Sequence, residues 1–235
     1  MNRKSVSIQR EYNIVKSNEL IQKARFNLSV QEQKIVLYLI SKIKPTDKQF
    51  QVYKFRITEF CKVCGIEYES GKNYKNVRDS IDNLADKKAW ILLDNGKTSR
   101  VSWINKAWIA GNEQNGRLEI RLDEDLLPYL IELHNNFTQY GLKYILSMKS
   151  QYSIRLYELL KSYQNLNNII FEIDKLKQLL MCENYKRFPD FKRKVIDIAM
   201  REINKLTDIT IEFTPIKSGK RFAQINFAIK NNKKY

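Results

Sequence analysis

The stretch FPDFKRKVIDIAMREINKLTDITIEFTPIKSGKRFAQINFAI, residues 188–229, changes its hydrophobic period halfway along, and that change decides the fold. Over 189–206 the apolar residues return at helical spacing: Phe191, Val195, Ile198, Ala199, Ile203 and Leu206 share one face. Arg193, Lys194, Asp197, Arg201, Asn204 and Lys205 fall on the opposite face. Beyond Leu206 the pattern alternates over 209–229, around a tip that reads Lys217-Ser218-Gly219-Lys220-Arg221. Alternation on both sides of a glycine-containing polar tip predicts a β-hairpin.

Upstream, YSIRLYELLKSY (152–163) reads as a helix, IIFEI (169–173) as a strand and DKLKQLLMC (174–182) as a short helix with Asp174 at its N-cap. The same order recurs in the first half. QKIVLYLISKI (33–43) is a helix with a central Leu37-Tyr38 that matches Leu156-Tyr157, and FRI (55–57) is a strand. TEFCKVCG opens on Thr58 as N-cap, and its Phe60, Val63 and Cys64 match Leu176, Leu179 and Leu180. A longer helix at 72–88 comes next, then a hairpin at 90–104 tipped by Asn95-Gly96-Lys97. Helix, strand, helix, helix, hairpin is the order of a winged helix, so the expectation is an α+β chain with two tandem winged-helix domains related by internal duplication.

Between the repeats, residues 117–141 predict a strand, a short helix and a linker. The boundary is placed at His134-Asn135-Asn136, which gives an N-terminal domain over 1–134 and a C-terminal, main DNA-reading domain over 135–235. The chain carries 42 Lys and Arg against 26 Asp and Glu, a formal charge of +16, and the part beyond residue 140 is the more basic. Such an excess favours a polyanion through its summed field and counterion release, with nucleic acid first and an anionic membrane second. No segment approaches the roughly 20 apolar residues of a membrane span, and no apolar run succeeds the basic N-terminus, so a cytoplasmic protein is expected. Three cysteines at these spacings fit a reducing compartment.

The outward face of the 189–206 helix suits a major groove, because Arg forks onto guanine and Asn pairs with adenine, although an amphipathic helix can also carry charge merely for solvation. In the first half the 72–88 helix is expected to bury Tyr74, Val77, Ile81, Leu84 and Ala85, and to leave Lys72, Lys75, Asn76, Asp79 and Asn83 outside. Lys97 and Arg100 in one hairpin, and Lys217, Lys220 and Arg221 in the other, would reach phosphate or the minor groove. Cys61 and Cys64 resemble half a zinc site, but no second ligand pair accompanies them, and Cys64 falls in a core phase. His134 is the lone histidine, so a two-histidine nicking motif is absent, and no cofactor is expected. Gly111–Arg117 lacks the Lys-Ser or Lys-Thr of a phosphate loop and reads as a turn. None of the 13 tyrosines stands out as a nucleophile. Asp123-Glu124-Asp125 suits a helix N-terminus, with a metal role as the alternative.

Through four of these stretches the C-terminal half resembles the initiator replication protein (Rep) family of iteron-bearing plasmids. They are SQYSIRLYELLKSY (150–163), FEIDKLKQLL (171–180), FPDFKRKVIDIAMREINKLTDITIEF (188–213) and KSGKRFAQINF (217–227). The N-terminal likeness is looser, chiefly SNELIQKARFNLSVQEQKIVLYLISKI (17–43). The resemblance implies a non-enzymatic initiator that binds direct repeats of double-stranded DNA at an origin and promotes strand opening for a host initiator and replicative helicase. It also implies a monomer–dimer balance and repression of the protein's own promoter at an inverted repeat. A winged-helix repressor without an initiation role would share every one of these residues, and a nicking replication enzyme is the further alternative.

Overall fold

The computed structural model describes residues 12–65, 72–109, 116–131 and 133–234. The chain opens with β1 (Asn13–Ser17), α1 (Asn18–Lys23) and the two-residue β2 (Ala24–Arg25). Next comes α2 (Val30–Ile40), which starts three residues before the 33–43 expectation because of a capping box: the Ser29 hydroxyl accepts from the Glu32 amide at 3.3 Å, and Glu32 accepts from the Ser29 amide at 2.6 Å. Leu37 and Tyr38 at its centre are buried, as are Leu156 and Tyr157 in the matching helix.

Then come β3 (Tyr53–Arg56), α3 (Ile57–Cys64) and α4 (Lys72–Asp86). Thr58 does not cap α3. The strand runs straight into the helix, Arg56 is the N-cap without a side-chain bond, and the Ile57 amide donates to Gly116 O at 2.9 Å. Gly65, at φ 64°, ends α3 in the left-handed conformation that a side chain resists. The first hairpin is β4 (Lys88–Leu92) with β5 (Thr98–Ser102), turned at Gly96, φ 78°. Two further strands, β6 (Ile104–Ile109) and β7 (Arg117–Leu122), lead to a 3-10 turn capped by Asp123 and the short α5 (Leu127–Leu130). The expected Gly111–Arg117 turn lies outside the described residues except for its last two.

Residues 137–141, expected as linker, form β8 (Phe137–Gly141), which pairs antiparallel with β1 from Asn13↔Gly141 to Ser17↔Phe137. After it come α6 (Leu142–Leu146), α7 (Gln151–Ser162), β9 (Asn168–Glu172) and α8 (Ile173–Leu179). Asp174 likewise is not an N-cap: Glu172 occupies that place and gives no side-chain bond. The long helix is built in three parts, α9 (Phe188–Phe191), a π-turn (Lys192–Ile196) and α10 (Asp197–Leu206), and the hairpin β10 (Ile209–Ser218) with β11 (Arg221–Asn231) closes the chain. The order of elements repeats in the two halves, but the strand pairing does not. In the second half β9 joins the hairpin in the order β10-β11-β9; in the first, the hairpin pairs with β2, while β3 joins β7 in a separate sheet, β3-β7-β6.

One buried core runs through both halves, with the edge-on cluster Tyr38, Phe55 and Phe60 on one side and Leu156, Leu159, Ile203 and Phe227 on the other. At the junction sits a buried charge cluster. Lys16 on β1 reaches Glu158 on α7 at 2.8 Å, Tyr140 on β8 donates to the same carboxylate, and Arg155 donates to the carbonyls of Ile21 (2.6 Å) and Ala24 (2.8 Å). Arg155 and Glu158 are thereby paired and hydrogen-bonded, the condition under which charge survives burial.

Candidate nucleic-acid interface

The recognition helix owes its phase to Pro189 and the π-turn. Pro189 stands in the first helical turn, where its missing amide costs nothing. The wider π-turn then adds a residue and rotates the helix beyond it, so that Ile196 joins Phe191, Val195, Ala199 and Ile203 in the core while Ile198 is half-buried. On the outer face Arg193, Lys194, Arg201 and Lys205 are exposed. Arg193 lies 3.2 Å from Asp190, and Lys194 sits 5.5 Å from the Tyr185 ring. Arg201 makes no ion pair or hydrogen bond with a described residue and is open to a ligand. Asp197 is held by Lys192 at 2.9 Å, so its carboxylate already has a cation.

Asn204 departs from the expectation of an outward, base-reading amide. Its Nδ2 donates to Ile211 O at 3.0 Å and its Oδ1 accepts from Ile211 N at 2.7 Å. Both ends of the amide are spent on tying the helix to β10, at the point where the helix turns into the hairpin.

The wing is fastened to the start of the helix by a contact that sequence reasoning missed. Phe188 stacks on Phe222 with ring centroids 4.4 Å apart, and Lys217 lies 5.1 Å from the Phe222 ring. The signal was an exposed-phase aromatic beside a basic tip, but nothing in the order of residues pairs it with Phe188. Gly219, at φ 61° with open space around it, makes the tip, and Lys217, Lys220 and Arg221 are exposed on it. Helix, stacked ring pair and cationic tip thus form one continuous basic ridge.

In the first half α4 buries Val77, Ile81 and Leu84 and exposes Lys75, Asn76, Asp79 and Asn83. Ala85 is exposed, contrary to expectation, because the helix ends at Asp86 and its last turn stands clear of the core. The side chains of Lys72 and Tyr74 lie outside the described residues. Lys97 is exposed on the hairpin turn, and Arg100 stacks 5.1 Å over the exposed Trp90.

Catalytic or metal chemistry finds little footing here. Among the described residues no group of three or more His, Cys, Asp or Glu side chains is placed to hold a metal. Cys61, Cys64 and Cys182 are buried and free; burial pushes the Cys61 thiol up to about 11 and that of Cys182 up to about 12, so both stay protonated. Burial likewise pushes the Tyr140 and Tyr157 hydroxyls well above their ordinary range. No helix among the described residues is long and apolar enough to cross a membrane.

Comparison with known proteins agrees with this geometry. Residues 13–161 match the family model described as "Initiator Replication protein, WH1", and residues 172–229 match "Initiator Rep protein, WH2". A PI protein of Escherichia coli is 33% identical over 139 residues, covering 51% of this chain and 46% of its own length. A replication initiation protein of Escherichia coli is 26% identical over 209 residues, covering 84% and 64%. This chain therefore spans between about half and two thirds of those relatives. The crystal structure of a Pi initiator protein in complex with iteron DNA superposes with a TM-score of 0.74 at 24% identity, over 95% of this chain and 99% of that one. At that identity the likeness is one of fold.

Proposed function

The chain belongs to the initiator replication protein family, with both of its winged-helix modules, and we propose that it is a plasmid replication initiator that binds direct repeats of double-stranded DNA at an origin. The observation that carries the reading is the basic ridge of the second module, where exposed Arg193, Lys194, Arg201 and Lys205 continue through the Phe188–Phe222 stack into Lys217, Lys220 and Arg221. On this reading the α9–α10 helix lies in the major groove and the wing rides on phosphate. The first module adds contacts through Lys75, Asn76, Lys97 and Arg100. Binding energy and DNA bending, not a chemical step of this chain, open the adjacent duplex for a host initiator and helicase. A dimer of the same chain, seated on an inverted repeat, represses its own promoter.

Protection mapping of the DNA around the protein's own gene tests this. Several evenly spaced direct repeats are the expected footprint. A single protected inverted repeat would instead make the protein a repressor, and strand cleavage of supercoiled plasmid would make it a nicking enzyme.

A further inference from the structure

The sheet β3-β7-β6 of the first module turns its other face away from the core, and the residues on that face are an unusual set. Tyr53, Phe55, Leu118, Ile120 and Leu122 point inward and are buried. The alternate positions present Lys54, Arg56, Lys106, Arg117 and Arg121, with Glu119 in the middle and Trp108 beside it. Arg56 is the direct cross-strand partner of Arg117, and Lys106 is that of Arg121. Like charges placed directly opposite one another on a sheet destabilise it, and here two such pairs occupy one face. Glu119 pairs with Lys54 at 3.1 Å and Glu124 pairs with Arg121. Among the described residues no acid lies within ion-pair reach of Arg56 or Arg117.

The two like-charge pairs lie about 13 Å apart along β7, four residues at roughly 3.4 Å each. Trp108, 41% exposed and with Lys106 at 4.8 Å from its ring, sits on the row between them. Cations in two rows relieve their mutual repulsion by holding successive phosphates. A large aromatic plane between those rows has a use only if the ligand offers a flat surface to it. Duplex DNA keeps its base faces stacked inside; a single strand presents them.

We propose that the outward face of β3-β7-β6 is a second nucleic-acid site that binds single-stranded DNA, with Arg56, Arg117, Arg121 and Lys106 on phosphates and Trp108 stacked on a base. It is separate from the helix-and-wing ridge of the second module. It deepens the origin-binding reading and rests on it, because a strand released beside bound repeats would be captured by the same protein that released it.

The test measures binding of the full chain to labelled 30-mer oligothymidylate and, separately, to a duplex carrying the protected DNA. The variants are Arg117→Glu, Lys106→Glu, Trp108→Ala and Trp108→Phe. Arg117→Glu converts a repulsive cross-strand pair into an attractive one, so its melting temperature should equal or exceed that of the wild type while its single-strand salt slope falls by about 0.7 or more. Lys106→Glu should behave alike. Trp108→Ala should lose about fivefold or more in affinity for the oligothymidylate, the lower end of what one stacked base contributes, and Trp108→Phe should keep most of it. Duplex affinity should stay within about twofold throughout, since no contact of the ridge changes. Single-strand binding that is absent in the wild type, or unmoved by all four variants, overturns the proposal while duplex binding stands. A parallel loss of duplex binding overturns it too, by assigning the face to the duplex interface. Failure of the wild type to bind the duplex would instead sink the reading of the ridge.

Discussion

Among single residues, the separation of base reading from phosphate holding rests on which side chains the fold has left open. Arg201 is exposed on the outer face of the helix and engaged by no described neighbour, so Arg201→Ala should cost about 1–3 kcal/mol on the cognate repeat and relax preference at particular base pairs. Titration against single-base variants of the repeat reads this out; unchanged selectivity would move base reading to the wing. Lys217→Ala and Lys220→Ala should weaken cognate and random DNA alike and lower the log-log salt slope by about 0.9 each. Asn204 carries a different expectation. Because its amide bonds both the amide and the carbonyl of Ile211, Asn204→Ala should cost about 1–3 kcal/mol in thermal unfolding and shift no single base preference. Arg201 and Asn204 share one face on a helical wheel, and nothing in that projection says that one of them folds back onto the next strand.

For whole elements, the π-turn and the ring stack set where the helix and wing stand relative to each other. Phe222 is 37% exposed, so Phe222→Ala should leave the melting temperature nearly unchanged, yet loosen the wing and weaken cognate binding by the equivalent of about 0.5–1.5 kcal/mol. A gel-shift series against a melting curve separates the two effects, and equal losses in both would show that the stack is structural only. Helix α7 contributes differently. Leu156 is fully buried in it, and Leu156→Ala should cost about 2–5 kcal/mol in denaturant unfolding. The same helix carries Glu158, whose carboxyl is held below its ordinary range: burial alone would raise it, but the Lys16 ammonium and the Arg155 guanidinium outweigh that. A depressed carboxyl contributes stability that is present above its unfolded value and is lost as pH falls through its folded one. Acid unfolding should therefore be steeper in the wild type than in Glu158→Gln, which will already be destabilised at neutral pH by leaving Lys16 uncompensated. Restoration of stability by the double variant Lys16→Met/Glu158→Leu, measured by urea unfolding at neutral pH, checks that the pair and not the helix is responsible.

For the molecule as a whole, a charge of +16 and a basic ridge make affinity fall steeply with salt, whereas chelators should leave the melting temperature where it was. A fall on chelation would mean that the Cys61 and Cys64 pair holds a metal. The sequence by itself determined the order of elements in each half, the buried Leu37-Tyr38 and Leu156-Tyr157 positions, the place of both hairpins and the sign of the partner's charge. All of these come from local periodicity, turn chemistry and composition, which need no knowledge of what lies opposite. Tertiary structure alone decided the rest. Residues 137–141 read as a linker because five residues carry too little pattern, and they become a strand only because β1, more than a hundred residues earlier, supplies the other edge. The first hairpin pairs with β2 rather than β3 because β7 has already taken the β3 edge. Phe188 meets Phe222, Asn204 meets Ile211 and Lys16 meets Glu158 for the same reason: each contact joins segments whose spacing in the chain is arbitrary, and only the closed core brings them within bonding distance.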